Sequence, residues 1–358
     1  MLRVAIIGLG DISPIHSSAI NDSGLASLVA VCDVDESKKS GYPEIPFYTD
    51  VKAMLAKADL DVVHICLPHY LHYPITKLCI ENGVHVFQEK PLSISYEEGL
   101  ETVALEEQTD KKICVSFQNR YNDTFLQLQH ILANEDVGNV TSIKGLVTWY
   151  RPESYYTDKP WRGTKKEAGY GSIINQSIHT LDLIQLLGGE IESCKASLSN
   201  LTDYAIEVED TASATFSFEN GVKAFFHATN AYTENSSVEL QVITEKEKFT
   251  IKDSRLYFTN EEGRKEVILE DQKIPGSKFY YGVSHMTLIK RFYMSILNDT
   301  EDYVHAKDAL VSMEMIELMD RSSKTNQKIR MEEIEHGNCK NWRTSDDAKR
   351  EIRRVRSL

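Results

Sequence analysis

Arg3-Val4-Ala5-Ile6-Ile7-Gly8-Leu9-Gly10 opens the chain with a short apolar run cut off by glycine, the pattern of a buried strand that ends in a tight turn. Glycines at positions 8 and 10 let the backbone bend sharply and approach a pyrophosphate, whose charge would rest on the positive end of a helix over Ile12 to Asn21. Gly8, Gly10, Asp11 and Ile12 are therefore candidate cofactor contacts. The usual third glycine is missing, since Ser13 is followed by Pro14, and two glycines after a strand also make ordinary turns. Asp33 strengthens the reading. It ends a second apolar run, Leu28 to Cys32, about 20 residues past the turn, where a carboxylate accepts from an adenosine ribose 2′-hydroxyl. The same carboxylate repels a 2′-phosphate, so NAD is expected in preference to NADP, with Lys38 and Lys39 close enough to soften the preference.

Apolar runs at Val62 to Leu67, Val84 to Phe87 and Ile113 to Phe117 alternate with helical stretches at Val51 to Ala58, Tyr73 to Glu81 and Tyr96 to Glu107. This alternation predicts an α/β fold: a Rossmann-type doubly wound parallel sheet over residues 1–120, with helices on both faces. One crossover helix is expected to be truncated, because the segment from Asp35 to Thr49 is short and holds Gly41, Pro43 and Pro46. After a helix at Phe125 to Ala133 the rhythm becomes a two-residue alternation. Strands are expected at Val140 to Tyr150, Lys195 to Ser199, Val208 to Phe218, Lys223 to Thr229, Ser237 to Thr244, Lys248 to Ile251 and Arg255 to Phe258. They predict a second α/β domain over residues 121–330 with a large, open, mainly antiparallel sheet, Glu219-Asn220-Gly221 making one hairpin turn. A helix over Gly169 to Leu187 is placed to cover its packed face. Ser284 to Leu297 and Ala306 to Asp320 read as helices, the latter with Ala309, Met313 and Ile316 spaced as a core stripe, and residues 331–358 read as a tail.

The chain has 358 residues, more than one compact core usually holds, which is consistent with two domains. Its formal charge of −14 excludes a nucleic-acid surface, which needs clustered Lys and Arg. The one basic cluster, Lys349 to Arg356, reads as a solvated segment. Six cysteines show no CxxC pairing, and Cys32, Cys66 and Cys114 fall inside predicted strands as small apolar residues, a pattern of a reducing compartment. Met1 leads straight into the first strand without a charged leader or long apolar segment, so a cytoplasmic location and no membrane contact are expected.

Two clusters can carry chemistry. Lys90, in Glu89-Lys90-Pro91, follows the fourth predicted strand at its carboxyl end, the edge of a doubly wound sheet where ligands collect. An ammonium there can donate to a substrate hydroxyl and stabilise the developing alkoxide as hydride leaves the same carbon. Pro91 restricts the backbone, and an X-Pro bond is able to be cis. The second cluster runs from Asn175 to Asp182. Asn175, His179 and Asp182 are spaced four and then three apart, so on one continuous helix they share a face. An imidazole can take the proton that alcohol oxidation releases. A lone histidine offers no second imidazole for a metal, so no metal site is expected. Between the clusters, Trp149-Tyr150-Arg151, Tyr155-Tyr156 and Trp161-Arg162-Gly163-Thr164 form an aromatic and basic stretch. Such rings stack on the apolar face of a sugar and Arg162 can hold a phosphate or carboxylate, although the same residues also serve interdomain packing. Gln118, Asn119, Arg120 and Tyr121, at the domain junction, are expected to line the same cleft.

Gly8-Leu9-Gly10 with His16 downstream, Cys32-Asp33-Val34-Asp35, Leu67-Pro68-His69-Tyr70-Leu71-His72, Glu89-Lys90-Pro91, Gln118-Asn119-Arg120-Tyr121, Trp161-Arg162-Gly163 and Asn175 to Asp182 together resemble the glucose-fructose oxidoreductase/inositol dehydrogenase/MocA family. The resemblance covers roughly residues 1 to 330 in the family's order. It implies a homodimer or homotetramer built on the second sheet, Lys90 and His179 as catalytic, and Leu67, Pro68, His69, His72, Glu89 and Gln118 at the cofactor. Arg120, Tyr121, Trp161, Arg162, Asn175 and His179 then face a sugar or polyol substrate. The family often has Asp where this chain has Asn175, and an amide positions a hydroxyl but cannot take its proton, so the base is His179, or Lys90 if its pKa is depressed. The expected activity is NAD-dependent oxidation of a secondary hydroxyl in a sugar, cyclitol or sugar derivative. Two alternatives share the fold: hydrolysis of a glycoside by transient oxidation and elimination, and a non-catalytic NAD-binding regulator.

Overall fold

The computed structural model describes residues 1–260, 262–272 and 284–334. Most of the expected tail, with the Lys349 to Arg356 cluster, lies outside them. The first sheet is built from β1 (Leu2–Ile7), β2 (Ala26–Cys32), β3 (Phe47–Tyr48), β4 (Val62–Ile65), β5 (His85–Gln88) and β6 (Ile113–Val115), in the spatial order 3-2-1-4-5-6 with every pair parallel. Strands covered on both faces have no polar side to expose, and β4 and β6 are accordingly buried along their whole length. The connecting helices are α1 (Ser13–Asp22), α2 (Val51–Lys57), α3 (His72–Glu81) and α4 (Tyr96–Glu107). Only a 3₁₀ segment at Glu36–Gly41 lies between β2 and β3, as the glycine and prolines there predict. Strand order reverses between β1 and β4, so their carboxyl ends, at Gly8 and Cys66, bound the crevice where such sheets take ligands. Gly8 has φ of +89°, and a Cβ on it would sit 2.5 Å from the Cys66 carbonyl oxygen, so only glycine fits.

From α5 (Asp123–Asn134) the chain enters the second sheet with β7 (Val140–Thr148). The predicted helix over Gly169 to Leu187 is in fact broken. Short helices α6 (Ser154–Thr157), α7 (Lys165–Ala168) and α8 (Ser172–Asn175) precede a longer α9 (Ile178–Gly188). The interruption has a local cause: the Ser177 hydroxyl and amide both donate to the Ser172 carbonyl, at 2.8 and 3.0 Å, closing the first turn on itself. Next come β8 (Ile191–Ser199), β9 (Thr211–Phe218), β10 (Lys223–Thr229), β11 (Glu239–Thr244), β12 (Lys248–Lys252), β13 (Arg255–Thr259) and β14 (Lys265–Glu270). Helices α10 (Ser284–Asn298) and α11 (Ala306–Thr325) and the short β15 (Ile329–Arg330) complete the described chain. The order is 14-13-12-11-7-10-9-8-15, antiparallel throughout except for the parallel pair β7 and β10. The β9–β10 hairpin turns at Gly221, with φ of +90°.

Helix α9 covers one face of this sheet against β7, with Leu181 and Ile184 fully buried. The opposite face leaves Phe225 and Ile243 exposed. The core stripe Ala309, Met313 and Ile316 is buried as expected, on a helix that packs against α4 and β8. Helix α10 returns to α1 of the first sheet, and the Val115 amide of β6 donates to the Val304 carbonyl at 2.9 Å. Gly145 of β7 is what lets α9 lie close: a Cβ there would meet Thr180 and Ile184 side-chain carbons at 2.6 and 2.8 Å. Gly145→Val is expected to lower unfolding free energy by about 1–3 kcal/mol through overpacking, read as a fall in denaturant midpoint at constant m.

Candidate active site

Lys90 stands just past β5, and the Lys90–Pro91 bond is cis. Its ammonium donates to the Asn175 backbone carbonyl at 2.8 Å. That carbonyl is available because α8 stops at Asn175. In an unbroken helix it would be spent on the His179 amide. Asn175, His179 and Asp182 therefore do not share one helical face, contrary to their spacing. Asn175 presents its backbone oxygen to Lys90 from the end of α8, while His179 lies in the first turn of α9. Gln118 is the third member, its amide nitrogen 3.3 Å from His179 Nε2. Burial first, then the Lys90 charge, hold His179 well below the ordinary histidine value, so a neutral imidazole with acceptor capacity is maintained there. Burial also lowers Lys90, opposed by the adjacent Glu89 carboxylate.

Asp182 does not orient the imidazole. Both its oxygens accept from Arg120, at 2.6 and 2.9 Å, in a buried bidentate pair, and Arg120 also reaches the Asp308 carbonyl. Tyr121 lies under the Arg291 guanidinium, 5.1 Å from its ring centre. Neither Arg120 nor Tyr121 makes a hydrogen bond to Lys90, Asn175 or His179. The aromatic stretch closes the other side. Trp161 packs edge-on against His69, ring centres 4.8 Å apart, and His69 Nδ1 donates to the Ala168 carbonyl. The Arg162 guanidinium lies 4.1 Å from the Tyr155 ring centre and 3.6 Å from Asp11, which also takes a 2.9 Å hydrogen bond from Lys159. Gln176 donates to the Tyr155 hydroxyl and accepts from Asn230, which also donates to Tyr156.

The residues around the glycine turn fit a dinucleotide. Space beside Gly10 is open, with nothing within 4 Å of a would-be Cβ. Ile12 directly precedes α1, whose first turn lacks a side-chain cap; its Ser13 amide turns back to Gly10 and its Ile15 and His16 amides to Ile12, and Pro14 offers none. Asp33 accepts from the Leu9 and Asp35 amides, one per oxygen, at 2.7 and 2.9 Å, which leaves each oxygen a further lone pair for a ribose hydroxyl. Gln118 Oε1, His179 Nδ1 and Arg162 Nε are buried without a partner, polar atoms placed where a ligand would satisfy them. His72 staples the two loops of this crevice, one ring nitrogen 2.9 Å from the Leu67 carbonyl and the other 2.7 Å from that of Pro91. Pro68 begins the intervening 3₁₀ turn His69–Leu71.

Residues 2–117 match the model of the oxidoreductase family with an NAD-binding Rossmann fold, and residues 125–250 match the GFO/IDH/MocA C-terminal domain. The chain belongs to the Gfo/Idh/MocA oxidoreductase family. It is similar to 1-carboxy-3-chloro-3,4-dihydroxycyclohexa-1,5-diene dehydrogenase of Comamonas testosteroni, 25% identical over 62% of this chain and 56% of that protein. It is also similar to myo-inositol 2-dehydrogenase of Thermotoga maritima, 22% identical over 93% of this chain and 99% of that one. The match thus spans little more than half of the first relative and nearly all of the second. The structure of the WlbA dehydrogenase from Chromobacterium violaceum in complex with NADH and UDP-GlcNAcA has a TM-score of 0.80 at 26% identity, covering 92% of this chain and 95% of that one.

Sequence reasoning missed Glu209, which holds the start of α8. Its carboxylate accepts from the Gly171 and Ile173 amides at 2.8 and 2.9 Å and from the Ser172 hydroxyl. The available signal was an acid inside the predicted strand Val208 to Phe218. Burial pushes Glu209 up to about 7 against those hydrogen bonds. The folded chain then holds this proton more tightly than the unfolded chain, so stability from this group falls as pH rises from about 4.5 to about 7, by on the order of 3 kcal/mol. Glu209→Gln is expected to flatten that slope in denaturant titrations run at a series of pH values. Asp182→Ala, which strands the Arg120 guanidinium, is expected to cost about 3 kcal/mol in the same measurement.

Proposed function

We propose that this family member oxidises, reversibly, a secondary hydroxyl of a sugar, cyclitol or sugar derivative, using NAD in preference to NADP. The observation that carries the reading is an anchored Lys90 ammonium near a half-buried His179 held neutral, beside the glycine-lined crevice. Bound NAD supplies the hydride acceptor. Gly8, Gly10, Asp11 and Ile12 would hold its pyrophosphate, Asp33 its ribose, and Leu67, Pro68, His69, His72, Glu89 and Gln118 its nicotinamide end. The Asp33 carboxylate disfavours a 2′-phosphate.

Lys90, fixed by the Asn175 carbonyl, donates to the substrate oxygen and offsets the charge that grows there. His179 takes the hydroxyl proton, its ring turned by Gln118. The Asn175 amide aligns the hydroxyl, Arg120 is a positioning residue that braces α9 through Asp182, and Tyr121 packs behind it. Trp161 and Arg162, with Tyr155 and Gln176, form the wall against which a sugar ring lies. Phe225 and Ile243, exposed on the open sheet face, support a homodimer or homotetramer formed through that face, which sedimentation would test.

The test is a screen of sugars, inositols and nucleotide sugars with NAD and NADP in parallel, following absorbance of the reduced cofactor. Turnover with at least one polyol, faster with NAD, is expected. Lys90→Ala and His179→Ala should each lower kcat by about 10²–10⁴-fold while NAD affinity stays within about tenfold. Full turnover in Lys90→Ala would remove that residue from the mechanism. Because His179 is held neutral, the oxidation profile should lack an inflection near pH 6.5, the ordinary histidine value.

A further inference from the structure

Behind Lys90 a line of buried polar side chains runs from Glu89 away from the cleft into the first sheet. Glu89 Oε1 is 2.9 Å from His16 Nε2, His16 Nδ1 is 2.8 Å from His64 Nδ1, and His64 Nε2 is 2.7 Å from the Tyr293 hydroxyl. The four residues come from α1, β4, the end of β5 and α10, and each is at most 8% exposed.

Proton accounting constrains this line. A carboxylate only accepts, so His16 Nε2 carries a hydrogen. Two ring nitrogens 2.8 Å apart must share a proton, since facing lone pairs repel. If that proton sits on His16, His16 is an imidazolium paired with ionised Glu89, and His64 is neutral, its Nε2–H donating to the Tyr293 oxygen. If it sits on His64, both rings are neutral and the buried Glu89 carboxylate keeps as counter-charge only Lys90, whose hydrogen bond goes to Asn175 instead, which is costly. The first arrangement is the favoured one. The electrostatics agree: burial disfavours the His16 cation, but the facing Cys66 and Glu89 outweigh it, while burial and the His16 charge keep His64 neutral.

Glu89 is also the acidic neighbour of Lys90. Among the described residues no carboxylate pairs with the Lys90 ammonium directly, and its hydrogen bond goes to the neutral Asn175 carbonyl. The groups facing Lys90 are otherwise histidines: His69, His72, His179 and His285 each feel its charge. Those facing His16 are Cys66 beyond β4, His64 on β4, Glu89, and His285 on α10, whose ring centre is 6.3 Å away. We infer that His16 is a positioning residue for the reaction, a buried cation held by His64 and Tyr293 that keeps Glu89 ionised and through it keeps Lys90 an ammonium. Because His16 stands on the helix that follows the glycine turn, the same contact ties the protonation of Lys90 to the seating of the cofactor helix.

The inference rests on the reading of Lys90 as the group that holds the substrate oxygen, yet its test needs no substrate. Lys90 acylation by trace acetic anhydride, followed by mass spectrometry across a pH series on the cofactor-free protein, reports its protonation midpoint. His16→Gln keeps a donor toward Glu89 but removes the charge, and should move the midpoint down by about one pH unit or more, a tenfold change in the protonated ratio. Glu89→Gln should do the same. An unmoved midpoint in either folded variant overturns the inference. Should neither variant fold, nitrogen-labelled histidine NMR of the parent decides: His16 protonated on both nitrogens near neutral pH supports it, and a single-proton ring overturns it. An empty substrate screen would leave these results standing, so the two readings can fail separately.

Discussion

The Asn175 carbonyl is the joint on which the cleft depends. It belongs to the segment leading into the second sheet, yet it accepts from a lysine that ends a strand of the first. A backbone oxygen is a rigid acceptor, since its position is set by φ and ψ rather than by a rotamer. Lys90, a long and flexible side chain, is thereby given one address. The break between α8 and α9 is what exposes that oxygen, and the break follows from Ser177 turning its own hydroxyl back to Ser172. Glu209 secures the other end of the same short helix by accepting from the Gly171 and Ile173 amides.

Around that joint the charges are arranged in layers. An ammonium and neutral imidazoles face the cleft, a carboxylate lies beside them, and an imidazole pair backs the carboxylate. The inner layers, Glu89, His16 and His64, are buried, so they act through a low dielectric in which one misplaced proton is expensive. The Arg120–Asp182 pair is kept apart from this system and works as a brace. Such a division lets α9 be fixed in place without adding a second carboxylate beside His179.

The first sheet was legible because its strands are buried on both faces, and runs such as Val62 to Ile65 have no polar side to hide. Its candidate site residues were picked out for the same reason, since a parallel strand ends where ligands collect and Gly8, Asp33 and Lys90 all follow strand ends. The second sheet was read in outline but not at its margins. β14, at Lys265–Glu270, is almost wholly exposed and carries Lys265, Glu266 and Glu270, so it lacks an apolar alternation. β15 is two residues long and exists only because β8 pairs with it. The helix break at Gln176 and Ser177 escaped because Ile173, Ile174, Ile178 and Leu181 keep a helical spacing through it, while the deciding hydrogen bonds are local. Arg120 and Asp182 lie 62 positions apart in sequence, and nothing in either neighbourhood announces the other. His16 was visible only as part of a pattern, because its partners His64 and Tyr293 are set by tertiary structure alone.

Tyr293 is contributed by one of the last helices, yet its hydroxyl completes a contact with His64 on a central strand of the first sheet. The nucleotide-binding half is therefore not a portable cassette. Transplanted without the C-terminal helices, it would carry an imidazole facing a void at its centre, and a chimera made by joining it to a foreign catalytic half would inherit that vacancy. Descent with shuffling of the two halves is correspondingly restricted: a new second half must bring not only a substrate wall but also a helix that returns to the first sheet with a hydroxyl at the right height.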